Sequence, residues 1–222
     1  MMKTLKTLLV VAMTCMVVFF AGCGGDDGPG NARLRILHAS PDAPNVDVYV
    51  DNGLVLANVP YPTASGYLTI SAGTHAIKIN AAGTQTTVIN VSPPLSKDGA
   101  YTAIAANFVA SIEPLLATDD TSAPPSGQIR LRVIHAAPDA GAVDILVNDQ
   151  IVLSNVPFGT ISSYLTVPGG TYDLKVNATG TAITAIHTSV TAAAGNNYTA
   201  VAIGSLKTAA TNPLSLKILV DG

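Results

Sequence analysis

His38 and Asp42 recur as His135 and Asp139, and each pair is followed by a further carboxylate, Asp47 or Asp144. An imidazole and a carboxylate on one loop could form half of a metal site or grip a sugar hydroxyl, because loops between strands carry most binding groups. The same residues can serve the backbone instead. An Asp after Pro caps turn N–H groups, and a His at a strand end turns a ring nitrogen to a carbonyl. A zinc site needs three or four ligands and each pair brings one His, so the turn-building reading is favoured and no metal or cofactor is expected. His38, Asp42, His135 and Asp139 therefore stand as candidate ligand-binding residues, held against that alternative. His75 and His187 do not recur and read as surface residues.

The remaining charged residues narrow the chemistry further. Arg33, Arg35, Arg130 and Arg132 are the only arginines. Alternation puts each pair on one strand face, where ion pairs to Asp47 or Asp51, and to Asp144 or Asp149, are expected. Asp119 and Asp120 lie beside no other acidic cluster that could hold calcium, and read as solvated linker charge. There is no Gly-x-Ser-x-Gly turn, no phosphate-binding Gly-rich loop and no His-Glu-x-x-His, and Glu113 is the single Glu, so no enzyme is expected. With no Trp, carbohydrate stacking platforms would have to be built from the seven Tyr.

The N-terminus supplies an address. Lys3 and Lys6 precede an apolar run from Leu8 to Phe20, too short for a helix to cross a ~30 Å hydrocarbon core, which reads as a secretion signal. Phe20-Ala21-Gly22-Cys23 resembles the bacterial lipobox, with Phe20 where Leu is usual. That resemblance implies cleavage after Gly22 and a diacylglycerol on Cys23. Cys15 would leave with residues 1–22, so the mature chain would keep one Cys and no intrachain disulfide. Acylation explains the lone thiol, since two or more chains at ~0.8 kcal/mol per methylene anchor a protein durably. Gly24 leans toward outer-membrane delivery. Residues 23–32 form a polar tether reaching at most roughly 35 Å. Loss of Lys3 and Lys6 takes the formal net charge from −3 to −5, which gives no electrostatic reason to bind nucleic acid.

These side chains are positioned by a duplicated unit. Sliding the chain by 97 residues aligns 33–84 with 130–181 at 28 identities in 52 positions without a gap. Asp119 to Gly127, rich in Pro and small polar residues, divides the copies. Domains are therefore placed at 33–118 and 129–222, with 119–128 as linker. Inside a copy the apolar period is two, as in Val46-Asp47-Val48-Tyr49-Val50 and Leu174-Lys175-Val176-Asn177, which predicts half-buried strands. Asp51-Asn52-Gly53 predicts a two-residue hairpin, and Asn148-Asp149-Gln150 gives a weaker signal for one. Charged residues at 11% and one Glu argue against helical bundles, while 48% apolar content suffices for a core. Seven or eight short strands per copy predict an all-β chain of two tandem immunoglobulin-like β-sandwiches.

The string His-Ala-x-Pro-Asp-Ala, Val-Asp-Val/Ile-x-Val, Asn-Val-Pro-Tyr/Phe and Tyr-Leu-Thr, present in both copies, resembles the bacterial domain-of-unknown-function family DUF 4397. The resemblance implies an exported, surface-associated β-domain, often on lipoproteins, and carries no activity. The expected function is thus a non-enzymatic envelope lipoprotein acting in surface structure, adhesion or protein interaction. Its partners would be the membrane, through lipid on Cys23, and an envelope protein or glycan. The alternative is a small-ligand or glycan receptor that uses the His-Ala-x-Pro-Asp loops.

Overall fold

A computed structural model describes residues 30–222; the secretion signal, Cys23 and most of the tether lie outside them. The first unit contains β1 (Asn31–His38), β2 (Val46–Val50), β3 (Gly53–Val59), β4 (Leu68–Ser71), β5 (Gly73–Thr74), β6 (Ile77–Ala81), β7 (Thr87–Val91), β8 (Pro94–Leu95), β9 (Ala100–Ala106) and β10 (Glu113–Asp119). The second contains β11 (Gln128–His135), β12 (Val143–Val147), β13 (Gln150–Val156), β14 (Leu165–Pro168), β15 (Gly170–Ala178), β16 (Thr184–Ala192), β17 (Asn197–Ile203) and β18 (Ser215–Asp221). The chain is all-β, as the period of two predicts, and each unit is a two-sheet sandwich. Sheet β10-β9-β1-β4 faces β3-β2-β6-β7, and β14-β11-β17-β18 faces β13-β12-β15-β16. The first strand of each unit pairs in parallel with its penultimate long strand, β1 with β9 and β11 with β17.

Both hairpins turn on two residues with positive φ. Asp51 and Asn52 have φ of 48° and 68°, and Asn148 and Asp149 have 49° and 64°. The second hairpin is therefore as tight as the first despite Gln150 where the first copy has Gly53. The short polar side chains of Asn and Asp tolerate the left-handed region at both central positions, so Gly is not required at the third.

The alternation in β1 has a different meaning from the one its sequence suggests. Leu34 and Ile36 enter the core of their own sandwich with Val48, Ile79 and Tyr101. Leu37, on the opposite face, joins Ile104, Ala117, Ile134, Val201 and Leu219 in a core shared by both units. The inner sheets thus pack on each other, giving four sheets in a stack, and their central strands are buried on both faces. Alanines at 39, 106, 117 and 136 thin the contact layer.

Arg35 and Arg132 are 4% and 2% exposed on this shared face. The expected pairing with Asp47, Asp51, Asp144 and Asp149 is corrected: each buried guanidinium reaches a carboxylate of the other unit. Arg35 meets Asp221 at 2.5 Å and donates to the Val220 carbonyl. Arg132 pairs with Asp119 and donates to the Thr118 carbonyl. Each carboxylate is also held by its own unit. Tyr67 and Thr102 hydroxyls donate to Asp119 at 2.6 and 2.7 Å, and Tyr164 and Thr199 donate to Asp221 at 2.7 and 2.5 Å. The Arg35 and Arg132 guanidiniums each lie 4.8 Å from the ring centre of Tyr67 and Tyr164. Asp119 as solvated linker charge is likewise corrected: it closes β10 with its side chain fully buried, and Asp120, next along, pairs with Arg130 at 3.3 Å.

Removing one partner from a buried, hydrogen-bonded ion pair costs about 3–5 kcal/mol, because the other charge is left without compensation. Among the described residues Asp119 is the only carboxylate paired with Arg132 and lies 3.7 Å from Arg35, whereas Arg35 keeps Asp119 when Asp221 is lost. Asp119→Asn is therefore expected to cost about 3–5 kcal/mol, and Asp221→Asn less. Urea unfolding followed by circular dichroism should show one transition for the whole chain. Two separated transitions, or equal effects of the two substitutions, would contradict the shared core.

Candidate functional site

The two His-Ala-x-Pro-Asp loops leave β1 and β11 at the same end of the stack, opposite the ion pairs, and Asn212 of the second unit donates to the Pro41 carbonyl of the first. Their side chains turn inward. His38 is fully buried, its Nε2 3.1 Å from the Pro44 carbonyl and its ring edge-on to Tyr61. His135 repeats this with the Gly141 carbonyl at 2.9 Å and Phe158. A ring nitrogen facing a carbonyl carries the proton, so Nε2 is committed as a donor in both. Burial pushes both imidazoles below their ordinary pKa. Asp42 accepts from the Val109 N–H at 2.7 Å, and Asp139 accepts from the Leu206 and Lys207 N–H groups and the Ser205 hydroxyl. Asp47 holds the N–H groups of Asn58 and Gly83, and Asp144 those of Asn155 and Gly180. All six side chains thus hold backbone of their own units, the aspartates by tying neighbouring loops together, and the structure does not bring the two His-Asp pairs together into a shared cleft.

One constellation escaped the sequence because its members are distant and only one copy has it. Asp51, on the first hairpin, reaches His75 Nδ1 at 2.6 Å, and His75 Nε2 lies 3.3 Å from the Ser71 hydroxyl. Nothing in spacing alone links these three residues, since the contact requires the β2–β3 turn to fold beside β5. His75 is 9% exposed, which corrects its reading as a surface residue, whereas the His187 side chain is 57% exposed beside Asp173.

Asp, His and Ser in this order resemble a nucleophile with its base and orienting acid. The hydrogen-bond partners argue otherwise. His75 Nε2 is closer to the Ser71 carbonyl, at 2.8 Å, than to the hydroxyl. Nδ1 faces a carboxylate and Nε2 a carbonyl, so each nitrogen has an acceptor to donate to and the site favours the imidazolium. Its bond to Asp51 raises its pKa. A ring already carrying both protons cannot take one from Ser71. The arrangement is a charged clasp between the first hairpin and the β4–β5 corner.

Among the described residues no group of three or more His, Cys, Asp and Glu is placed to hold a metal ion. No helix there is long and apolar enough to cross a membrane. The family model described as "Domain of unknown function (DUF4397)" matches residues 32–146 and again 131–221. The chain belongs to the DUF4397 family. Its duplicated strands, loops and reciprocal ion pairs are thus those of two DUF4397 copies in tandem. No curated protein matches the chain. Among solved structures it is similar to a leucine-rich repeat protein from Bacteroides thetaiotaomicron at 15% identity and a TM-score of 0.18. That alignment covers 77% of this chain and 25% of the other.

The three buried histidines of the DUF4397 pair fall into two electrostatic classes with opposite pH behaviour. For His38 and His135 the folded pKa lies below the unfolded value of about 6.5. The unfolded chain then binds protons that the folded one refuses, and stability falls as pH drops below that value. For His75 the folded pKa is raised. Its contribution is complete below about pH 6.5 and is lost as pH rises through the folded value. Proton NMR titration of the imidazole Cε1–H signals should place the His75 midpoint above that of free histidine and those of His38 and His135 below it. A His75 midpoint at or below theirs would refute the clasp.

Proposed function

We propose that this protein is a non-enzymatic lipoprotein of the cell envelope, whose fused DUF4397 sandwiches act as a rigid module in surface structure, adhesion or protein interaction. The observation that carries this reading is where the repeated charges go. Arg35, His38, Asp42, Asp47 and Asp119, with their second-copy counterparts, are consumed by ion pairs, loop staples and the contact between units. What both copies retain therefore builds a scaffold. The described chain starts at Gly30, whose carbonyl accepts from Ala72 at the end of the stack holding the ion pairs. A tether from Cys23 would place that end toward the lipid and turn the His-Ala-x-Pro-Asp loops, with half-exposed Val109 and Leu206, outward.

In the producing bacterium, Cys23→Ser is expected to move the protein from the membrane to the soluble fraction and to abolish incorporation of an alkyne-labelled palmitate. Membrane partitioning that survives the substitution would remove the anchor. A deletion strain should lose surface adhesion or envelope integrity, with rescue by the wild-type gene and not by Cys23→Ser; unchanged behaviour in both assays would count against the scaffold. The non-enzymatic part has its own test. Wild type should cleave p-nitrophenyl acetate no faster than Ser71→Ala, and a clear excess would reinstate Ser71 as a nucleophile.

A further inference from the structure

The two sandwiches share their backbone plan and differ in where they are hollow: in the first, about 300 Å³ lies between β6–β7 and β9–β10, lined by Ile77, Ile89, Ala103 and Leu115 among others. Between the sheets of the second unit lies a cavity of about 90 Å³, lined by Val133, Val152, Leu165, Val167, Leu174 and Val176 among others. It holds about three water-sized groups. Its surface offers water almost nothing to bond. The Ser162 hydroxyl is engaged with the Ser163 carbonyl and the Val133 N–H. Lys175 contributes its stem, while its ammonium pairs with Asp149 at 2.5 Å. An apolar cavity without polar partners stays dry and accepts apolar guests.

The cavity is not imposed by the fold. At the positions of Val133, Val167 and Val176 the first unit carries Ile36, Ile70 and Ile79, one methylene larger each, while Val48 against Ile145 and His75 against Tyr172 run the other way. Ile36 is 1% exposed where Val133 is 9% exposed, so the looser packing reaches the central strand. The cavity also has a way in. Strands β13 and β14 form facing edges of the two sheets, and Val152 and Leu165 on them are 41% and 43% exposed.

We propose that this slot binds the terminal segment of an alkyl chain. Aliphatic walls without a free polar group reward burial of methylenes and recognise no headgroup, so any polar end of the ligand stays outside, between β13 and β14. The site goes beyond the scaffold reading and does not depend on acylation of Cys23.

The experiment uses the full chain carrying Cys23→Ser, which needs no detergent, with 1-hexanol as probe and 1,6-hexanediol as control. The diol has the same carbon count but must bury a hydroxyl. In methyl-resolved NMR, 1-hexanol should shift Val133, Val167 and Val176 saturably and leave Val201 of the shared core unmoved, while the diol does neither. Val133→Ile with Val167→Ile installs the first unit's residues. It should abolish the shifts and raise the melting temperature by about 2–4 °C. Leu165→Lys, changing only a half-exposed side chain at the mouth, should weaken binding without disturbing the core, and serves if the double variant folds poorly. Shifts that never saturate, equal response to the diol, or undiminished binding by the variant that folds would overturn the proposal.

Discussion

Two arginines are buried where two sheets meet, and neither can be neutralised by losing a proton. A buried guanidinium needs carboxylates and fixed acceptors or the fold does not close. Here the carboxylates come from the last strand of the opposite unit, so each copy completes a site that the other begins. That constraint fixes much of the remaining architecture. It sets the inner sheets face to face, points β1 and β11 the same way, and brings both His-Ala-x-Pro-Asp loops to one end. The Arg35–Asp221 contact at one end and the Asn212–Pro41 contact at the other define that orientation. Tyr and Thr hydroxyls on each aspartate complete its coordination, and the aromatic face under each guanidinium adds a cation–π contact.

The strands and the duplication were legible in the sequence because the period of two and the 97-residue offset are local or self-referential signals. The stacking of the units was not. In Arg33-Leu34-Arg35-Ile36 the alternation of charge and hydrocarbon has the form of a half-solvated strand, and only a partner outside the repeat makes Arg35 a core residue. Asp119 misled for the same reason: read next to prolines it resembles linker charge, although its partner Arg132 lies in the following unit. Exchange between repeats leaves no mark in either repeat taken alone. The His-Asp loops were legible as chemistry and ambiguous as function, since a side chain that caps its own loop and one that grips a ligand have the same spelling. The second hairpin gives a weaker sequence signal because it lacks Gly, although the Asn148-Asp149 pair alone bends the chain.

Where the copies agree they hold the stack together, so any role peculiar to one unit must be sought where they differ. His75 with Asp51 occupies the first hairpin's flank, while the second unit places Lys175, Asp149 and Asp173 there. The segment between β17 and β18 is longer than that between β9 and β10, and it folds over the first unit, with the Lys207 ammonium 4.8 Å from the Phe108 ring centre. The missing methylenes around Val133 belong to the same class of difference. Duplication frees one copy from matching the other only at positions that the shared contact does not constrain, and each of these three sites lies off the reciprocal ion pairs.

The shared apolar layer could by itself hold two sheets together, but Ala, Val, Ile and Leu set little beyond the distance. Such a surface tolerates sliding and pairing with the wrong copy. The reciprocal sets of Arg, Asp, Tyr and Thr tolerate neither, because sliding one sheet over the other would carry each guanidinium off its carboxylate and leave both charges buried and unpaired. The ion pairs thus set register, while the hydrocarbon around them supplies most of the attraction. Joining the units through a segment that runs from Asp119 straight into the contact makes the correct partner the nearest one. Asn197 pins that segment through the Asp120 and Ser122 carbonyls, which raises the effective concentration of each pair's two halves within one chain.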